Sequence, residues 1–335
     1  MGFPCAGWPF ASSVSGFLRG YLRGESLEKS ANYANAAGAL VVSRHGCAPA
    51  IPGEKELLYY LENAHKIANP STDVTLNHLH RVSFRAHQEE EIFGFAFDHR
   101  KQLLDLSEKH GVDSKQIKKI KNLFIRSTQK VIDKLKIPEK NIGVLIDDTY
   151  GEDALNSLAE KSWWIGRPVE LPSSRPLMFE GEQSIGSKIN SWPLTHTVKC
   201  LFFYHPDDSE ELKFKQEQKI KELYHACLQS GHQLLLEVIP PSEYKDDEKT
   251  IPKILKRFYS LEVKPDWWKL EPLTTVDGWQ ELERLINSWD SLCRGVLLLG
   301  LDQPIDVLGK SFELAAKSTV DDVTKSALSI ILSKS

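Results

Sequence analysis

Lys269 lies late in a short apolar stretch, Lys264-Pro265-Asp266-Trp267-Trp268-Lys269-Leu270-Glu271-Pro272, directly behind two tryptophans. A lysine so placed is partly desolvated. Desolvation disfavours the ammonium and lowers the pKa, and the neutral amine is a nucleophile able to form a Schiff base with a ketone. The plainer alternative is a strand-end lysine whose stem lies along its aromatic neighbours while the ammonium reaches water. Other apolar runs also finish in chemistry. The run at 93–97 is followed by Asp98-His99-Arg100, and that at 142–146 by Asp147-Asp148-Thr149. The run at 163–169 carries Arg167 and is followed by Glu170; that at 198–204 has Lys199 near its start and His205 just after it. The run at 234–239 contains Glu237, and that at 295–301 closes on Gly300-Leu301-Asp302. Singly, each has a bland explanation: a strand-end aspartate such as Asp148 caps the next helix, and Arg167 with Glu170 makes a surface pair. Polar groups converging from many strands are harder to dismiss, because burial without function costs stability.

A lysine, a carboxylate and further cations at one mouth suit aldol chemistry. Lys269 would attack a ketone to give an iminium, which is an electron sink, and Glu237 would move protons as general acid and base. Lys199 and Arg100 would hold anionic oxygen or phosphate and depress the pKa of Lys269 further. Lys199 lies early in its run, which leaves open the end of the fold it faces. A metal-dependent aldolase wants histidine ligands at strand ends, and only His99 and His205 qualify. The expectation is therefore a site with no metal and no cofactor.

These residues need a scaffold. The seven runs alternate with amphipathic stretches such as 209–229 and 276–288. Near-continuous apolar strands mean a parallel sheet buried on both faces. Seven β/α units in about 230 residues predict an α/β fold of the (β/α)8 TIM type, with catalytic groups at the C-terminal strand ends. A doubly wound sheet is the alternative, but no Gly-rich phosphate loop follows the first strand. Upstream, apolar residues at helical spacing over 9–64 predict helices, with Ser26 as a cap and a small-residue-rich segment at 31–42 suited to close packing. Residues 65–80 are polar and aperiodic and read as a linker. The chain of 335 residues has a net charge of -4 and a pI near 6.3, with no basic footprint for nucleic acid. Its five cysteines show no CxxC spacing, which fits a reducing compartment. The lack of a membrane-length apolar run or a signal-type N-terminus points to the cytoplasm, with no membrane partner.

Residues 79 to about 317 resemble the C-terminal domain of bacterial bifunctional proteins of myo-inositol catabolism. The resemblance is carried by Phe95-Ala-Phe-Asp-His-Arg100, Trp163-Trp-Ile-Gly-Arg-Pro-Val-Glu-Leu171, Val198-Lys-Cys-Leu-Phe-Phe-Tyr-His-Pro-Asp-Asp208, Leu234-Leu-Leu-Glu-Val-Ile-Pro-Pro241 and Pro265-Asp-Trp-Trp-Lys269. That domain is similar to class I tagatose-bisphosphate aldolases. The resemblance implies cleavage of 2-deoxy-5-keto-gluconate 6-phosphate, a small phosphorylated sugar acid, to dihydroxyacetone phosphate and malonate semialdehyde. It implies Lys269 as the Schiff-base residue, with Glu237, Lys199 and Asp98 as its catalytic companions. His99 stands where the pattern has Gln, and Arg100 keeps the pattern's arginine. Asp147, Arg167, His205, Gly300 and Asp302 complete the candidate substrate- and phosphate-binding set.

Residues 10–64 resemble the last helices of a ribokinase-type sugar kinase, the 5-dehydro-2-deoxygluconokinase that precedes the aldolase domain in such fusions. Phe17-Leu-Arg-Gly-Tyr-Leu-Arg-Gly24 and Ala34-Asn-Ala-Ala-Gly-Ala-Leu-Val-Val-Ser-Arg-His-Gly-Cys-Ala-Pro49, which includes Asn35, carry that likeness. Such kinases have Gly-Ala-Gly-Asp just before these helices, where the Asp is the base. Here Cys5-Ala6-Gly7-Trp8 aligns with it, so kinase activity is not expected. The family's eighth strand carries Gly-Phe-Ala-Val-Gly-Arg; here Ala316-Lys317-Ser318-Thr319-Val320-Asp321-Asp322 leads into what reads as a helix. The expected organisation is a kinase-like helical remnant at 1–64, a linker at 65–80, and at 81–335 a TIM-type barrel lacking a normal eighth strand. The alternatives to a lyase are an inactive pseudoenzyme or fragment of the fusion, and an assembly role in which the 10–64 helices form a homo-oligomer surface.

Overall fold

The computed structural model describes residues 7–46, 48–83, 92–244, 247–300, 304–318 and 329–332. The chain forms two compact units, residues 1–87 and 88–335.

The first unit holds α1 (Gly7–Leu22), α2 (Leu27–Val42), α3 (Glu54–Asn63) and α4 (Val74–Ser83). Ser26 caps α2 as expected, its hydroxyl accepting from Lys29 N at 3.2 Å. The small residues do bring helices together. A Cβ on Gly16 of α1 would lie 2.6 Å from the Tyr33 carbonyl oxygen of α2, so only glycine lets the two backbones approach this closely. Tyr33, Ala36, Ala37, Leu40, Leu57 and Leu76 form the core. Beneath it, the fully buried Glu56 carboxylate pairs with Arg44, lies 3.0 Å from His80 Nδ1 and accepts from Gly53 N at 3.3 Å.

The 65–80 segment lies inside the first unit rather than between the two. Residues 74–83 are helical, Asp73 accepts from Leu76 N at 2.8 Å at the start of that helix, and the unit runs on to residue 87. α4 joins the core through the fully buried Leu76 and through His80 on Glu56, so much of its anchoring is polar and leaves a weak apolar period.

The second unit is a closed, all-parallel barrel of eight strands in chain order. The strands are β1 (Phe93–Ala96), β2 (Ile142–Leu145), β3 (Trp164–Pro168), β4 (His196–Phe203), β5 (Leu234–Ile239), β6 (Trp267–Leu270), β7 (Gly295–Leu299) and β8 (Ser329–Leu332). Between them run α5 (Lys101–Lys109), α6 (Lys115–Leu135), α7 (Asp148–Ser157), α8 (Ile185–Asn190), α9 (Glu210–Ser230), α10 (Thr250–Ser260), α11 (Val276–Trp289) and α12 (Ile305–Ser318). Each of the seven apolar runs contributes a strand.

The TIM-type expectation holds, and so does the lack of a normal eighth strand. The Gly-Phe-Ala-Val-Gly-Arg run is absent, so the strand there is not the family's usual one. Ser329–Leu332 takes its place, pairing with β7 (Leu298↔Ile330) and β1 (Phe93↔Ile330), and leaves no open edges. Four residues show no period, so strand and helix cannot be told apart from so short an apolar run.

Two-residue alternation sorts the strand side chains. Ile92, Ala96, Leu145, Trp164, Leu235, Trp267 and Leu297 fill the barrel interior as one cluster, with Trp164 and Trp267 edge to face at 6.3 Å. Their neighbours Ile142, Val144, Ile146 and Ile165 face outward against Ile125, Ile132 and Ala154 of α6 and α7.

Candidate active site

The interior apolar layer is the floor of the site. Two residues further along a strand is the same face one step higher. Asp98 is two beyond Ala96, Glu237 two beyond Leu235, and Lys269 two beyond Trp267; all three are buried. Register agrees, with Glu237 opposite Lys269 on neighbouring strands. Lys199 sits one step lower, opposite Leu235. Its four-carbon stem makes up the difference, which settles the end of the barrel it serves.

Lys199 is the hub. Its Nζ lies 3.0 Å from Asp98 Oδ2, 3.0 Å from Glu170 Oε1 and 3.0 Å from Glu237 Oε2. Lys269 Nζ has Glu237 Oε1 at 2.9 Å. Glu170 extends the cluster: its Oε1 also accepts from Arg100 at 3.1 Å and its Oε2 from Leu201 N at 3.1 Å. Arg100 in turn donates to Glu180 at 2.6 Å. Strands 1, 3, 4, 5 and 6 thus all deliver a charged group to one mouth.

The electrostatics follow from this geometry. Burial opposes charge on Lys199, but Asp98, Glu170 and Glu237 outweigh it and raise its pKa well above 10.5, fixing it as a cation. Burial likewise opposes charge on Asp98 and Glu237, yet the ammonium groups of Lys199 and Lys269 hold both below the usual carboxylate range. His99 is pushed down from 6.5, first by burial and then by Lys199 and Lys269, against the pull of Asp98 and Glu237.

The expected site residues fall into two groups. Lys269, Glu237, Lys199 and Asp98 come together, with Arg100 joined through Glu170 and His99 in the same field. Asp147 is committed elsewhere: it forms a fully buried ion pair with Lys121 of α6 and caps α7 by accepting from Tyr150 N at 2.8 Å. Asp148, expected to be structural, holds Arg167 at 2.7 Å. Arg167 has the outward parity of Ile165, and it stacks over Trp192 at 4.0 Å rather than entering the barrel. His205 stacks on Tyr244 at 4.1 Å, and its Nδ1 accepts from Asp207 N at 3.1 Å. Gly300 follows β7 and is buried, and Asp302 lies outside the described residues. In the first unit Gly7 and Trp8 open α1, their side chains outside the described ones, and Asn35 is exposed on α2.

Glu170, a strand-end candidate whose alternative is a surface pair with Arg167, enters the cluster, because three residues apart in extended chain puts the two on opposite faces. Glu180 is not among the expected residues; it belongs to a loop, where no strand period marks it.

Lysines and carboxylates at the C-terminal mouth of a closed parallel barrel define a (β/α)8 protein with a built charged site. The chain belongs to the DUF2090 family, described as uncharacterized proteins conserved in bacteria, whose model matches residues 56–324. Residues 12–53 match the pfkB family of carbohydrate kinases. No curated protein matches the chain. Among solved structures, a Corynebacterium glutamicum structural-genomics protein is similar at a TM-score of 0.46 and 12% identity, over 84% of this chain and 90% of its own. A fructose-bisphosphate aldolase from Slackia heliotrinireducens has a TM-score of 0.46 and 9% identity, over 79% of this chain and 80% of its own. No described helix is long and apolar enough to cross a membrane, and no described group of His, Cys, Asp or Glu side chains could hold a metal ion.

Proposed function

We propose that the barrel is a class I aldolase acting on a phosphorylated keto-sugar acid, with 2-deoxy-5-keto-gluconate 6-phosphate as the substrate that the sequence resemblance implies. The observation that carries this reading is the unequal commitment of two buried lysines. Among the described residues, Lys199 is locked by three carboxylates, whereas Lys269 pairs with Glu237 alone, a group able to take its proton. Lys269 is therefore the nucleophile and Lys199 the fixed cation.

In this mechanism Glu237 accepts a proton from the Lys269 ammonium, and the freed amine adds to the C5 ketone. Glu237 returns the proton to the carbinolamine oxygen, which departs as water and leaves the iminium. Loss of the C3 hydroxyl proton to a site base breaks the C3–C4 bond. The C3 fragment leaves as malonate semialdehyde, and the bonding pair passes into the iminium to give an enamine. Protonation at C4 and hydrolysis then release dihydroxyacetone phosphate and restore the amine. Lys199 stays charged throughout and steadies anionic oxygen.

Borohydride reduction in the presence of dihydroxyacetone phosphate tests this. The expected result is one irreversible adduct, located at Lys269 by peptide mass, and absent from a folded Lys269→Ala variant. An adduct of undiminished yield in that variant would move the nucleophile to another lysine. No adduct in the wild type would favour the inactive-homologue reading.

A further inference from the structure

The cations at the mouth differ in how replaceable their partners are. Those of Lys199 and Lys269 are buried carboxylates on strands or in the residues directly after them. Arg100 shares Glu170 with Lys199, but its second partner, Glu180, comes from the loop between β3 and α8, and the Glu180 side chain is 24% exposed. The backbone of that residue is pinned. Glu180 N donates to Val169 O at 2.8 Å, its carbonyl accepts from Lys188 Nζ at 3.1 Å, and Leu171 N donates to Met178 O at 2.7 Å in the same small hairpin. Only the side chain has room to turn, against one weak further bond, from Thr149 Oγ1 at 3.4 Å. The guanidinium also has spare capacity, since its buried Nε has no acceptor among the described residues.

Charge balance makes this arrangement informative. Among the described residues of this ion-pair network, four carboxylates (Asp98, Glu170, Glu180, Glu237) face three cations (Arg100, Lys199, Lys269). A mouth with that excess repels an anion. Asp98, Glu170 and Glu237 cannot leave without stranding Lys199 in the interior. Glu180 can, because water is one side-chain rotation away.

We propose that Glu180 is an exchangeable counter-ion on Arg100. It occupies the position of an oxyanion group of the substrate, a phosphate or a carboxylate, and swings into solvent when that group binds. The exchange restores planar, charge-assisted bonding to the guanidinium and leaves three cations facing three protein carboxylates. It also makes Glu180 a specificity-determining residue, since a neutral sugar offers nothing to displace it. The proposal rests on reading the mouth as a site for an anionic sugar, and does not need the Schiff base.

Calorimetric titration of inorganic phosphate and of malonate into the wild type, Glu180→Gln and Glu180→Ala tests the exchange. Both variants should bind at least one of these anions about tenfold or more tightly than the wild type does. The gain should vanish when Arg100→Gln is added. A gain for phosphate alone assigns the position to the phosphate, and a gain for malonate alone to the carboxylate. Unchanged or weaker affinity for both anions in both variants overturns the proposal, as does a gain that survives Arg100→Gln. A failed borohydride experiment beside a positive titration would remove the Schiff base and leave the counter-ion.

Discussion

At the scale of single residues, the site is organised around one ammonium. Lys199 neutralises Asp98, Glu170 and Glu237 together, so its loss cannot be local. Lys199→Met should destabilise the protein by about 3–5 kcal/mol at pH 7, the usual consequence of stranding buried charge. The pH dependence identifies the cause. In the wild type, the folded-state pKa values of Asp98 and Glu237 lie below their ordinary 3.8 and 4.5, so their contribution is complete above about pH 4.5 and is lost as the pH falls below that. In the variant, buried carboxylates without their cation have raised pKa values. The folded state then binds more protons than the unfolded one, and acid relieves the defect. Urea denaturation should show the gap between wild type and variant narrowing from pH 7 to pH 5; a constant gap would mean that lost packing, not lost charge, is responsible. The meeting of Lys269, Glu237, Lys199 and Asp98 was legible because each is a charge within or just after an apolar run, where burial is costly without a partner. Arg167 and Asp147 carried the same signal and serve packing and capping instead. Whether a strand-end charge faces into the barrel or outward is a matter of parity, and parity cannot be anchored until one inward residue, such as Trp164, is known.

At the scale of elements, close approach governs the first unit. Adding a methyl at Gly16 sets two effects against each other: alanine favours a helix by about 1 kcal/mol over glycine, while overpacking costs about 1–3 kcal/mol. The obstructing atom is the Tyr33 carbonyl oxygen, part of a backbone that cannot rotate aside, so the steric effect should win. Gly16→Ala should therefore lower the hydrogen-exchange protection of the α2 amides. Gly309→Ala in α12, where the new Cβ meets nothing among the described residues, should raise stability slightly by the same propensity. A gain of similar size from both substitutions would remove the close-packing account. The small-residue character of 31–42 was visible in the sequence, but its partner was not, since composition allows contact without naming the surface. The same limit hid α4, whose His80 is anchored to Glu56 by a polar contact that no hydrophobic period records.

At the scale of the whole molecule, closure of the barrel depends on four residues. β8 supplies the only strand between β7 and β1, and both ladders are short, three paired residues each. The sequence made seven strands plain because each lies in a buried apolar run between amphipathic stretches. It hid the eighth, whose apolar residues Ile330, Ile331 and Leu332 form a shorter run without the Gly-Arg of the resembled family. Deleting residues 323–335 would leave the backbone groups of β1 and β7 unpaired on one side, and an unpaired parallel edge both exchanges with water and invites association. The far side of the barrel is insulated from this change, because β4 and β5 form the longest ladder, with six paired residues. Hydrogen exchange on the truncated chain should thus show protection lost in Phe93–Ala96 and Gly295–Leu299 and kept in β4 and β5, together with a concentration-dependent rise in apparent size. Because Asp98 follows β1 directly, the Asp98–Lys199 contact should loosen as well, and any borohydride-trapped adduct should form more slowly without changing its lysine. Full protection of β1 and β7 in the truncated chain would mean that the eighth strand contributes nothing to closure, and that the first seven hold the mouth in place unaided.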